Sequence, residues 1–264
     1  MSRIDTKFQE LRAAKKKAFI AYVTAGFPDM AATEALVLAL EKAGVDIIEL
    51  GLPFSDPMAD GPVIQAASFR SLQGGTTPAK VLDCVKRLRK VTDIPIALMG
   101  YYNPVHHWGD AAFVAAAKEA GVDGLIIPDL PVEEAGALRA AGRLHDVSIV
   151  FFLAPTTTAA RMGGIVRAAT GFVYFVSVAG VTGAREAVPS RIARQVARAR
   201  AMSRTPVCVG FGVSTPEQVK AVGAFSDGVI VGSAIIREIE KFSGQKDMPE
   251  RVALFVKTMS DQLR

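Results

Sequence analysis

Two cysteines in 264 residues, Cys84 and Cys208, exclude a disulfide framework and a cysteine-built metal cage. Neither has a ligand or redox neighbour at useful spacing, and both read as reduced core thiols. Histidine is as scarce, with three in the chain. His106 and His107 stand side by side with no third ligand at sensible spacing, and His145 closes a helical stretch, so no metal is expected. A single tryptophan and an aromatic share of 7% leave few rings to stack bases. The net charge of +5 therefore speaks to solubility rather than to nucleic-acid recognition. Much of that excess lies in Lys15-Lys16-Lys17 and in Arg191, Arg194, Arg198, Arg200 and Arg204, the second group spaced as a solvated helix face. No apolar run approaches the roughly 18 residues of a membrane span. Met1–Lys17 is charged rather than signal-like. The expectation is a cytoplasmic protein with no membrane partner.

What the chain does have is aliphatic material in a repeated order. Half of it is hydrophobic, and short β-branched runs alternate with Ala/Leu-rich amphipathic stretches across Gly, Pro and Asp turns. Strands are expected at Ala18–Thr24, Asp46–Leu50, Ile94–Met99, Gly124–Ile127, Ser148–Phe152, Phe172–Ser177, Pro206–Gly210 and Gly228–Val231. Helices are expected at Met30–Ala43, Pro78–Lys90, Asp110–Ala120, Glu133–Leu144, Ala159–Ala169, Ser190–Met202, Thr215–Val222 and Met248–Leu263. Thr215-Pro216-Glu217 sets a cap, a first-turn proline and an acid in order. Gly44 and Gly121 fall where a left-handed residue ends a helix. The tetrapeptide Ala-Gly-Val-Asp occurs at Ala43–Asp46 and again at Ala120–Asp123, each time between a helix and a strand. Eight such units predict an α/β fold, a single-domain (β/α)₈ TIM barrel over residues 1–264. An extra N-terminal helix, Arg3–Ala14, would cover the barrel bottom. An open doubly wound sheet is the rival. It is disfavoured because the chemically loaded residues follow many strands rather than one switch point.

The segment Ile48–Pro62 is the most informative. Glu49 ends a strand of Ile47, Ile48 and Leu50, where a core-facing acid is costly without a task; as a residue type alone it fits a rim salt bridge as well as a site acid. Asp60 stands on a Gly/Pro-rich loop and has a turn-forming alternative, which suits Asp56 better.

The run Ile48–Gly61 resembles the signature of the tryptophan synthase α family. The likeness extends through Ala21–Gly26, Met99–Pro104, Ile127–Pro131, Ala179–Gly183, Gly210–Gly212 and Gly232-Ser233. The resemblance implies a lyase of tryptophan biosynthesis that cleaves indole-3-glycerol phosphate by a retro-aldol step into indole and glyceraldehyde 3-phosphate. Glu49 would be its acid/base and Asp60 the acceptor for the indole N–H. The substrate phosphate would rest on backbone donors at Gly183, Gly210-Phe211-Gly212 and Gly232-Ser233, since barrels hold phosphate after strands seven and eight. Tyr174 and Tyr102 are expected in the site, with Tyr22 and Ile127 as pocket walls. Ala179–Arg185 would be a lid, with Thr182 steadying Asp60. Val178 stands where many family members carry Arg. No metal and no cofactor is implied. The implied partner is the pyridoxal-phosphate β subunit in an αββα heterotetramer, met by the loops Pro53–Met58 and Asn103–Trp108. Two alternatives stand beside this reading: another phosphosugar-binding TIM-barrel enzyme, and a non-catalytic regulatory barrel subunit.

Overall fold

The computed structural model describes residues 2–176, 187–210 and 212–264, without the side chains of residues 187–190. Eight parallel strands close into a barrel in sequence order. They are β1 (Ala18–Thr24), β2 (Ile47–Gly51), β3 (Ile96–Met99), β4 (Gly124–Ile126), β5 (Ser148–Leu153), β6 (Val173–Val176), β7 (Val207–Gly210) and β8 (Gly228–Val231). The seam pairs Ala18 of β1 with Gly228 of β8. Nearly every strand residue is buried, as aliphatic strands covered on both faces must be.

Twelve helices surround or cap the barrel among the described residues. α1 (Arg3–Ala13) leads, and α2 (Met30–Lys42) links the first two strands. Pairs of helices follow β2 (α3, Pro62–Gln73; α4, Pro78–Leu88) and β3 (α5, Tyr102–Trp108; α6, Asp110–Ala120). Then come α7 (Gly136–His145), α8 (Ala159–Ala168), α9 (Ala187–Met202) and α10 (Pro216–Gly223), one in each crossover, and α11 (Ser233–Phe242) and α12 (Met248–Ser260) after β8. The stretch expected to be a loop over Asn103–Trp108 is thus the short helix α5. The helix expected from Glu133 begins at Gly136, after a turn closed by the Glu134 N–H on the Pro131 carbonyl. Thr215 caps α10 by accepting from the Gln218 N–H. Gly44 and Gly121 adopt φ of +87° and +94°, the left-handed geometry for which glycine has no Cβ penalty.

α1 covers the amino-terminal ends of β4, β5 and β6. Ile4, Phe8 and Leu11 are buried beneath it, and the Ser2 hydroxyl lies 3.2 Å from that of Ser148 at the start of β5.

At that same end a polar clamp recurs four times. Asp46 accepts from the Phe19 N–H of β1 at 2.8 Å, and Asp123 from the Ile96 N–H of β3 at 2.9 Å. Thr170 accepts from the Ile149 N–H of β5 at 2.7 Å, and Asp227 from the Val207 N–H of β7 at 3.0 Å. Each residue that precedes an even-numbered strand therefore satisfies a backbone donor on the odd-numbered strand before it. An unpaired buried N–H is costly, so each clamp answers a definite need. Every acid in the set has its own arginine: Asp46 pairs with Arg264, Asp123 with Arg89 and Asp227 with Arg200. The Ala-Gly-Val-Asp repeat is the sequence trace of the first two clamps.

Candidate active site

The carboxyl ends of the strands open on a cavity of about 630 Å³, within the range of small-ligand pockets. Glu49, Asp60, Tyr22, Tyr174, Gly212, Gly232, Ser233 and Arg237 all line it.

Glu49 is delivered by β2. Side chains alternate along a strand, so Ile48 and Leu50 point to the helical layer and Glu49 into the barrel, level with Tyr22 on β1 and Ala97 on β3. It is 1% exposed, and its Oε2 has no hydrogen-bond partner among the described residues. Burial, with the charge of Asp60 adding to it, pushes the Glu49 carboxyl up to about 8, because low dielectric disfavours the ionised form.

Asp60 sits on the loop between β2 and α3. Its Oδ2 accepts a hydrogen bond from the Tyr101 hydroxyl at 3.0 Å, while Oδ1 has no partner among the described residues. Burial lifts its carboxyl to about 6 and the Tyr101 hydrogen bond opposes the rise. The two acids thus differ at neutral pH: Glu49 holds its proton and Asp60 has mostly lost its own.

Tyr101 is one residue that sequence reasoning missed. Its hydroxyl donates to Asp60 and accepts from the Ala59 N–H at 3.0 Å, and its ring stacks on Phe54 with centroids 5.3 Å apart. Tyr102, expected in the site, begins α5, where its hydroxyl bonds Asp110, and it is absent from the cavity wall. Phenylalanine at position 101 removes the bond that holds Asp60 down. In a ¹³C-carboxyl NMR titration, Asp60 of Tyr101→Phe is expected to protonate at higher pH than in the parent. An unchanged midpoint would show that Tyr101 does not tune this acid.

Tyr22 and Tyr174 complete the inner wall. Burial raises both phenols well above their ordinary value, with the neighbouring acids adding to it, so both remain neutral. Their rings lie close against the strand ends. A Cβ on Gly51 would collide with the Tyr22 hydroxyl, and one on Gly210 would meet the Tyr174 hydroxyl at 2.6 Å. Gly210, expected among the phosphate donors, therefore also makes room for Tyr174. Ile127 is buried just past β4 and does not line the cavity. Thr182, Gly183 and Phe211, with Val178 and the expected lid, lie outside the described residues.

The far side of the cavity is formed by Gly212 to Ser214 and by the start of α11. Gly232 is the N-cap of α11 and Ser233 its first residue. First-turn N–H groups have no acceptor within their helix and carry the positive end of its dipole, which suits a phosphate. Arg237, one turn into α11, is the only cation lining the cavity among the described residues. Among those residues it has no carboxylate partner. Sequence reasoning passed it over, although it stands four residues after Ser233 and so shares its helix face.

The sequence profile of the tryptophan synthase alpha chain family matches residues 8–264. The tryptophan synthase alpha chain of Geobacter sulfurreducens is 48% identical over 263 residues, covering 100% of this chain and 99% of the relative. Among solved structures, tryptophan synthase subunit alpha from Legionella pneumophila superposes with a TM-score of 0.92 at 40% identity, covering 100% of this chain and 98% of that one. A chain from M. tuberculosis tryptophan synthase in an aminoacrylate-bound form gives 0.89 at 34% identity, with complete coverage of both. A barrel with paired carboxylates at its mouth, matched end to end at this identity, belongs to the tryptophan synthase alpha chain family, the lyases that cleave indole-3-glycerol phosphate to indole and glyceraldehyde 3-phosphate.

Proposed function

We propose that Glu49 and Asp60 carry the cleavage in this chain. The observation behind this reading is two acids in one cavity in unlike surroundings: Glu49 is buried with its Oε2 unpartnered among the described residues, and Asp60 is held by the Tyr101 hydroxyl, which favours its charged form. Environments that push two carboxyls apart assign one as acid and the other as base. Protonated Glu49 gives its proton to C3 of the indole ring as the nitrogen lone pair forms a C=N⁺ bond. Ionised Asp60 accepts from the N–H and stabilises that cation. Glu49, now a carboxylate, takes the proton of the C3′ hydroxyl. The C3–C3′ bond breaks, its electron pair returns to the ring, and the C3′ carbon leaves as the aldehyde of glyceraldehyde 3-phosphate. The acid ends in the state in which it began.

Gly212, Gly232 and Ser233 receive the phosphate, with Thr182, Gly183 and Phe211 assigned to the site by resemblance alone. A Schiff-base aldolase needs a lysine at the mouth, and among the described residues no lysine lines the cavity. The chain works in the cytoplasm beside a β subunit that consumes its indole. The exposed Met58 and the half-exposed Trp108 lie on the two segments expected to meet that partner. No helix among the described residues is long and apolar enough to cross a membrane.

Release of indole from indole-3-glycerol phosphate, with and without added β subunit, tests the reading. No release in either case would overturn it. In the same assay Arg237→Gln is expected to raise KM about fivefold with kcat little changed. An exposed charge on a phosphate contributes roughly 1 kcal/mol, and loss of binding energy shared by ground and transition states raises KM without lowering kcat. A fall in kcat with KM unchanged would contradict the placement of Arg237 at the phosphate.

A further inference from the structure

A second cavity, about 570 Å³, lies at the opposite end of the barrel, between the end of α1 and the end of α9. Among the described residues Arg12, Lys15, Lys16, Lys17, Arg200 and Arg204 line it, against a single carboxylate, Asp227. The local excess equals the net +5 of the entire chain. The cations expected to form a solvated helix face and an isolated lysine run are therefore partly gathered into one concavity.

Asp227 is already committed. Its two oxygens take the Arg200 guanidinium at 2.8 and 3.0 Å and also the Val207 N–H. Among the described residues the other five cations have no carboxylate partner. Lys17 is half-buried.

The turn that presents the lysines is itself costly. Lys15 has φ +57°, with its N–H on the Arg12 carbonyl and the Lys16 N–H on the Leu11 carbonyl. This is a helix ending in which glycine or asparagine is the favoured left-handed residue. Here the position is held by a cation that adds its charge to those of its neighbours. Like charges crowded in a concavity raise the local potential and concentrate counter-ions. Ammonium groups on flexible stems suit phosphates as point charges.

We infer that this cavity at the amino-terminal end of the barrel is a binding site for a compact polyphosphate anion, an inorganic polyphosphate or the phosphate tail of a nucleotide. Its floor of Phe8, Leu11 and Pro206 gives an apolar surface beneath the charges. Among the described residues no side chain lines both cavities, so this site is separate from the catalytic one.

The probe is sodium tripolyphosphate, titrated calorimetrically into the full chain at fixed ionic strength. Saturable binding is expected, weakened at least tenfold in Lys15→Gln/Lys16→Gln/Arg204→Gln and unchanged in Arg237→Gln. Indole release by the triple variant should match the parent. ATP in place of tripolyphosphate separates the sources: a tighter Kd assigns the nucleotide, and an equal one assigns the phosphates alone. Equal binding by the parent and the triple variant would overturn the site. So would heat no greater than that of sodium chloride, or binding of a single-stranded oligonucleotide without binding of tripolyphosphate. Should the triple variant not fold, Arg204→Gln alone and the steepness of the salt dependence decide the same question, since release of counter-ions scales with the phosphates contacted.

Discussion

Glu49→Gln is expected to lower kcat roughly 1,000-fold while folding at least as well as the parent, an effect within the ~10²–10⁴ range of a positioned proton donor and acceptor. Glutamine keeps the shape but neither gives a proton to C3 nor takes one from the C3′ hydroxyl, so both half-steps suffer. Stability should move the other way. The folded carboxyl titrates near 8, against 4.5 for a free glutamate. Below about pH 4.5 both folded and unfolded chains hold the proton, and burial exacts no ionisation cost. As pH rises from there to about 8 the unfolded chain ionises first, and stability falls by on the order of a few kcal/mol. The amide has nothing to ionise. The stability advantage of Glu49→Gln should therefore grow between pH 5 and 8 and level off above. In the parent, cleavage should fall below about pH 6 as Asp60 takes up a proton and above about 8 as Glu49 loses its own. Measured kcat and thermal midpoints across pH 5 to 9 check both effects. Activity within tenfold of the parent would remove Glu49 from the reaction.

Asp123→Ala should have the largest effect on folding. Asp123 is 4% exposed and accepts from Arg89 at 2.8 Å, from Arg3 at 3.1 Å and from the Ile96 N–H. The Arg89 side chain is itself only 10% exposed. Burial already lowers the Arg89 guanidinium from its ordinary value, and Asp123 is the leading influence that supports its charge. Removing the carboxylate strands that charge and one backbone donor together, a loss of roughly 3–5 kcal/mol. Arg3→Ala, at a pair whose arginine is 41% exposed, should lose under about 1 kcal/mol. Asp123→Asn, which can still accept from Ile96, should fall between the two. Urea midpoints of the three variants give the comparison. Losses of similar size in all three would mean that burial of the Arg89 charge is not what the clamp secures.

The barrel was legible because its signals are periodic and redundant. Eight aliphatic runs, each bounded by Gly, Pro or Asp, leave few ways to bury them all, and strand ends shifted by only a residue or two. Glu49 was legible for a sharper reason: an acid inside an Ile/Leu strand has no inexpensive place to go. The misplaced tyrosine shows the limit. Tyr101 and Tyr102 are adjacent, and which of them reaches Asp60 depends on where β3 stops and α5 starts, a boundary that the residues do not mark to within one position. The clamps were half legible. Asp46 and Asp123 share a tetrapeptide, whereas Asp227 and Thr170 perform the same task in unrelated sequence. The two cavities rest on proximity between distant segments. Lys15 and Arg204 meet only because β1 and β7 are both neighbours of β8.

The four clamps also say something about how the barrel can be assembled. They join residues 27, 27, 21 and 20 positions apart, whereas the seam must bring Ala18 to Gly228. Loop closure costs more as the intervening chain lengthens, so each strand pair can be latched locally before the ring is complete. The molecule is thus wired as four two-strand modules whose last joint is the seam. New chain ends opened between modules leave all four latches whole, whereas ends opened inside a module sever one.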